Sequence, residues 1–143
     1  LVVNDRRVAI VGVGDASSGL DDLPAALNQA EGTDVVIVLT HSPDILDRPG
    51  IERADLVLCG HTHGGQMMLP GFGPAWAPVW RDRRRGAGLL RFGDVAMHVS
   101  RGVGTTWPVR INCPPHVAVL ELYRGPLNGV ALKPELRREA GRC

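Results

Sequence analysis

Asp55-Leu56-Val57-Leu58-Cys59-Gly60-His61-Thr62-His63-Gly64-Gly65 is the stretch that decides how this chain is read. The apolar run after Asp55 has the pattern of a short buried strand, and it stops at a glycine. Two imidazoles one residue apart then leave the strand on a turn. Neutral imidazole is the commonest metal ligand among side chains. So placed, the pair reaches two neighbouring metal ions or chelates one. The flanking glycines let the backbone pass close to whatever the histidines hold.

Working outward, the upstream sequence supplies the scaffold for that turn. Residues 7–13 carry Val8, Ile10, Val11 and Val13 and end at Gly14-Asp15, which predicts a strand. Residues 20–27 place apolar side chains at helical spacing. Asp21 and Asp22 sit where a helix start favours negative charge, Pro24 suits a first turn, and Gly32 marks the end. Residues 34–40 form a continuous apolar run, the pattern of a strand covered on both faces, and it stops at His41-Ser42-Pro43-Asp44. A helical turn near residues 45–47 leads into the strand before the HxH turn. Strand, helix and strand in this order predict βαβ units with right-handed crossovers, hence parallel pairing. Ligands of such sheets bind beyond the carboxyl ends of the strands. His41 and His61 both stand there, which predicts a common site.

Past Met67-Met68-Leu69 the texture changes. Residues 70–78 are rich in Gly, Pro and Trp, and residues 81–85 are strongly basic; both read as loop. Short strands are predicted at 88–92, 95–100 and 116–123, the last from its alternation of Val117, Val119 and Glu121 with Ala118, Leu120 and Leu122. In the second of these His98 alternates with Met97 and Val99, so it faces the opposite sheet surface. From Lys133 the tail is charged and reads as a frayed helix. The expected organisation is one domain over residues 1–132 and a polar tail over 133–143.

Composition narrows the class without naming a ligand. The chain has 143 residues, 44% apolar and 22% charged, as in ordinary soluble domains. A net charge of +1 gives no electrostatic steer toward nucleic acid. Cys59, Cys113 and Cys143 are widely spaced and form no CxxC pair, so neither a disulfide framework nor a cysteine zinc site is signalled. Cys59 reads as a small core residue. No apolar run approaches the roughly 18 residues of a membrane span. Beginning at Leu1 in mid-pattern, the sequence is expected to be a fragment or processed product.

The spacing after the HxH turn disfavours one rival. β-lactamase-like metallohydrolases need Asp and His after HxH, where Gly65 and Gln66 stand here. The ordered set Thr40-His41-Ser42-Pro43-Asp44, Asp55 through Gln66, Leu69-Pro70, Ser100-Arg101-Gly102-Val103-Gly104, Pro108-Val109-Arg110 and Pro114-Pro115 instead resembles the calcineurin-like metallophosphoesterases, nearest to the bacterial GHTHGGQ branch of membrane-associated phosphodiesterases.

That resemblance implies an α/β fold, a β-sandwich flanked by helices, present here as a partial domain with parallel strands first and antiparallel strands later. It implies a metal-dependent hydrolase of phosphomonoester or phosphodiester bonds with a dinuclear centre. His41 and His61 would share one ion and His63 would bind its neighbour; imidazole with oxygen ligands suits Mn, Fe or Zn. The family's earlier motifs, D-x-H, GDxxD and GNHD/E, are absent. The catalytic histidine and the bridging carboxylate are therefore expected upstream of Leu1, and this fragment alone is expected to be inactive. Asp15 reads as a turn residue or helix cap. His116 stands where the family usually has Glu and reads as a strand-entry substitution.

Arg101 and Arg110 are candidates for substrate phosphate, since arginine binds phosphate bidentately; pairing with a carboxylate is the equal alternative. Gln66 is a candidate to orient a metal-bound group. Trp76, Trp80 and Trp107 are expected to pack onto the core. The expected partner is a phosphoester substrate, extending to phospholipid-related ones, with no nucleic acid. Location is left open between bacterial cytoplasm and a membrane-associated state anchored by a missing N-terminal segment. Two other readings stay open: a non-catalytic module whose three histidines hold one structural zinc, and an anionic-lipid or nucleic-acid binding domain using Arg81, Arg83, Arg84 and Arg85.

Overall fold

The computed structural model describes residues 1–79 and 83–123. Its strands and helix, in chain order, are β1 (Val2–Val3), β2 (Arg6–Gly12), α1 (Leu23–Asn28), β3 (Val35–Leu39), β4 (Leu56–Cys59), β5 (Met68–Leu69), β6 (Gly73–Pro74), β7 (Gly88–Phe92) and β8 (Val95–Val99). One sheet takes the order β1-β2-β3-β4-β8-β7, and β5 with β6 makes a separate two-stranded ribbon. β2, β3, β4 and β8 run parallel. β7 joins β8, and β1 joins β2, in antiparallel pairs. The α/β class and the order of parallel then antiparallel pairing are as the sequence predicts, with β1 as an added antiparallel edge.

Register puts the apolar alternation to work. Val11, Val38, Val57 and Met97 stand side by side across β2, β3, β4 and β8, and all are buried. Leu23 and Leu27 of α1 are fully buried in the same cluster. Full burial of a leucine contributes about 1.5–3 kcal/mol, so this short helix is held by its buried face. Asp22 caps it, accepting from the Ala25 amide at 3.1 Å, with proline in the first turn. Between β3 and β4 the expected helical turn is present as 3₁₀ turns at Pro43–Asp47 and Ile51–Arg53. Buried Ser42 caps the first of them through the Asp44 amide at 3.2 Å.

Two expectations fail. Residues 116–123 form no strand: Val117 is 79% exposed and Val119 74%. Alternation becomes a strand only beside an open sheet edge, and the segment's recorded main-chain bond is His116 N–H to the Gly102 carbonyl. Trp76 and Trp107 are exposed rather than packed on the core, because the loop bearing Trp107 is held through its backbone. Trp80, Arg81 and the tail from Lys133 lie outside the described residues. Among those described, no helix is long and apolar enough to cross a membrane.

His98 does face away from Met97. It is buried in the sheet, its ring centroid 6.3 Å from that of His116. Burial, and then the charge of His116, pull its pKa below the usual 6.5. The unfolded chain therefore takes up this proton first, and stability held above the unfolded value is lost as pH falls through the depressed one. The urea midpoint should drop between about pH 7.5 and about pH 5.5. His98→Gln should shrink that drop, and an unchanged drop in the variant counts against the assignment.

Candidate metal centre

Parallel pairing brings the carboxyl ends of β3 and β4 together, and the connecting bonds continue past them. Thr40 N–H donates to Leu58 at 3.1 Å, and Gly60 N–H to His41 at 3.0 Å. The result is that His61 Nδ1 lies 2.8 Å from His41 Nε2, with the rings edge to face at 64°. One of these nitrogens carries the shared proton and the other accepts it. Two nitrogens each about 2.1 Å from one tetrahedral ion stand about 3.4 Å apart, so the rings would have to part by about half an ångström to share a metal in place of that proton. Burial, then the His41 charge, lower the His61 pKa below 6.5 against the opposing pull of Asp15 and Asp44. The neutral ring is the ligating form.

His63 sits two residues on, at the start of the 3₁₀ turn His63–Gly65. Its Nδ1 is 3.1 Å from the Gly104 carbonyl, which can only accept, so Nδ1 carries the hydrogen and Nε2 keeps its lone pair. Among the described residues no three His, Cys, Asp or Glu groups come together around one point. The structure thus pairs His41 with His61 and sets His63 apart, which leaves a single zinc held by all three without geometric support.

The turn is bought with unusual backbone. His61 (φ 68°), His63 (50°), Gly64 (65°), Gly65 (70°) and Gln66 (55°) all lie in the left-handed region. For a non-glycine residue this costs on the order of 1–3 kcal/mol, and such strain clusters at functional sites. The surroundings hold it. Buried Thr62 donates to the Gly86 carbonyl at 2.6 Å and accepts from the Gly64 amide at 3.2 Å. A Cβ on Gly64 would lie 2.7 Å from Cys113 Sγ and 2.9 Å from Arg101 Cγ. Thr62 and Cys113 were not legible as site residues; both act across distant segments.

The arginines divide. Arg110 turns its Nη1 and Nη2 onto main-chain carbonyls of residues 63, 101, 102, 104 and 113. Arg101 lays its stem over Gly64, and among the described residues its guanidinium has no hydrogen-bond or ion-pair partner. Gln66 is buried, and its amide is engaged by the 106–109 loop. Its Nε2 donates to the Trp107 and Val109 carbonyls, both at 2.7 Å, and its Oε1 accepts from the Thr106 and Trp107 amides at 2.8 and 3.1 Å. Of the basic run, Arg85 is spent structurally, pairing with Asp47 at 3.1 Å and lying over the Phe92 ring.

Asp15 makes the expected turn, accepting from the Ser17 amide at 2.9 Å and hydroxyl at 2.8 Å. Burial works to raise its pKa, but the Ser17 bonds and the charges of His41 and His61 hold it below 3.8. With Asp44 it places negative charge near the His41–His61 pair, a role the sequence did not disclose. Burial, then Asp44, push the Cys59 thiol up to about 12, so it stays protonated in the core.

No family model matches the chain, and no solved structure matches it significantly. Relatives do. Phosphodiesterase YaeI of Escherichia coli (strain K12) is 42% identical over 118 residues, covering 82% of this chain and 42% of that protein. The uncharacterized metallophosphoesterase YkuE of Bacillus subtilis (strain 168) is 31% identical over 122 residues, covering 85% of this chain and 42% of the relative. UDP-2,3-diacylglucosamine pyrophosphatase LpxG of Chlamydia trachomatis is 30% identical over 128 residues, covering 83% and 38%. The chain spans about two fifths of the length of these curated relatives. These similarities support a place for the chain in the metallophosphoesterase family.

Proposed function

We propose that the protein containing this chain hydrolyses phosphoester bonds with two divalent metal ions, and that the chain contributes the histidine-rich half of that centre. The observation that carries the reading is the 2.8 Å approach of His61 Nδ1 to His41 Nε2, with His63 set apart on the same strained turn. His41 and His61 hold one ion, and His63 holds the other through Nε2. Mn, Fe or Zn suits imidazole joined by oxygen ligands. A bound metal pair supplies an activated water and neutralises phosphate oxygens.

The chain's own residues prepare the site for that chemistry. Burial lowers the His61 pKa and so favours its neutral form, while Asp15 and Asp44 place negative charge near the pair. Arg101, its stem across Gly64 beside His63, is the arginine open to a phosphate oxygen. Arg110, its Nη1 and Nη2 groups committed to carbonyls, bears on substrate through the loop it holds. The remaining carboxylate ligands and a catalytic histidine would come from the D-x-H, GDxxD and GNHD/E motifs, which these residues do not contain, and turnover by this chain alone is not expected. Relatives named as a phosphodiesterase and as a UDP-2,3-diacylglucosamine pyrophosphatase support phosphoester substrates extending to lipid-linked ones.

The test is hydrolysis of bis(p-nitrophenyl) phosphate by the full-length protein with Mn²⁺, alongside the metal count. Activity should vanish with chelator and return with Mn²⁺, at two ions per chain. His61→Ala should lower kcat/KM by about 100-fold or more while leaving the fold intact. Chelator-resistant turnover, or full activity in the variant, defeats the proposal.

A further inference from the structure

We infer that Arg110 is a positioning residue that sets which nitrogen His63 offers to a metal. The inference rests on the reading of His63 as a ligand. His63 is anchored at two points. Its ring donates from Nδ1 to the Gly104 carbonyl at 3.1 Å. Its own carbonyl accepts from Arg110 Nη1 at 3.2 Å, and from Cys113 Sγ at 3.4 Å. The Gly104 carbonyl that receives the ring hydrogen also receives Arg110 Nη2.

One guanidinium therefore holds both ends of the His63 arrangement. It further binds the Arg101 carbonyl at 2.9 Å, Gly102 at 3.4 Å and Cys113 at 3.1 Å, so the 101–104 and 113 segments are drawn to the HxH turn together. A carbonyl oxygen has two lone pairs, so Gly104 accepts from both donors without conflict. The two donors share that oxygen's electron density, so the guanidinium acts by fixing where the Gly104 carbonyl sits beside Nδ1, not by strengthening the bond to the ring. A hydrogen bond to one ring nitrogen decides which nitrogen remains for the metal.

Lysine cannot substitute. Its donors radiate from a single nitrogen, whereas the fork of arginine spans carbonyls from separate segments. Charge alone is thus separable from clamping by one substitution.

The experiment uses the full-length protein, stripped of metal, with ¹⁵N-labelled histidine. In the wild type His63 should be the Nδ1–H tautomer, with that hydrogen in a hydrogen bond. Arg110→Lys, confirmed folded by its amide spectrum, should show a tautomer mixture at His63. It should also bind Mn²⁺ about 10-fold or more weakly at the second site, while the bond between His41 and His61 persists. A wild-type Nε2–H tautomer overturns the inference, and needs no variant to fold. An Arg110→Lys protein with unchanged tautomer and unchanged Mn²⁺ affinity also overturns it. If the wild type shows the Nδ1–H tautomer yet binds no Mn²⁺, the metal reading itself falls and takes the inference with it.

Discussion

Gly65→Ala should destabilise the protein by about 2–5 kcal/mol, a large part of the roughly 5–15 kcal/mol that holds an ordinary domain together. Two costs add. The residue sits at φ +70°, where an L side chain meets its own backbone. A Cβ there would also lie 2.0 Å from the Trp76 carbonyl oxygen and 2.9 Å from Pro74 Cβ. The first obstacle is main chain, so no rotamer change relieves it. Gly71 is the control, with φ +78° and nothing within 4 Å of its Cβ. Gly71→Ala should cost only the conformational part, about 1–2 kcal/mol. Urea midpoints for the two variants isolate the contact. Equal losses would mean the close approach at Gly65 is not there.

Gln66→Glu should be nearly as damaging, at about 3 kcal/mol or more, because two carbonyls lose their donor in a buried place. Every polar position of the amide is used: Nε2 faces the Trp107 and Val109 carbonyls at 2.7 Å, and Oε1 receives the Thr106 and Trp107 amides. A carboxylate of the same shape sets oxygen against those carbonyls. Burial raises the pKa of the new carboxyl above its unfolded value, so the variant's penalty grows as pH rises and eases under acid. The checks are urea midpoints at acid and neutral pH, and amide exchange at residues 106–107, which should quicken in the variant. A pH-independent loss, or unchanged exchange, would refute the assignment.

Much of the scaffold was open to reading along the chain. The β-branched runs became β2 and β3, Asp22 capped α1, and Asp15 made its turn, because each depends on residues a few positions apart. His41 and His61 were expected to meet because parallel strands carry their following residues to one sheet edge, and they do. The reading failed where the determining partner is remote. Residues 116–123 alternate like a strand, yet a ladder needs an edge that local sequence does not specify. Gln66 was read from its position as a candidate to orient a metal-bound group, but its partners are 40 to 43 residues away.

By itself, then, the sequence determined the α/β order, the strand ends that carry the histidines, and the family they resemble. The first two follow from periodicity and turn chemistry within short windows, and the third is a resemblance carried by the ordered motifs. Only the tertiary structure decided that His61 Nδ1 meets His41 Nε2 at 2.8 Å, that Thr62 and Gln66 brace the turn, and that Arg110 grips carbonyls rather than standing open. Those outcomes depend on which distant segments close upon one another. A guanidinium or amide will bond to whichever carbonyls the fold brings within about 3 Å, and spacing along the chain does not say which those will be.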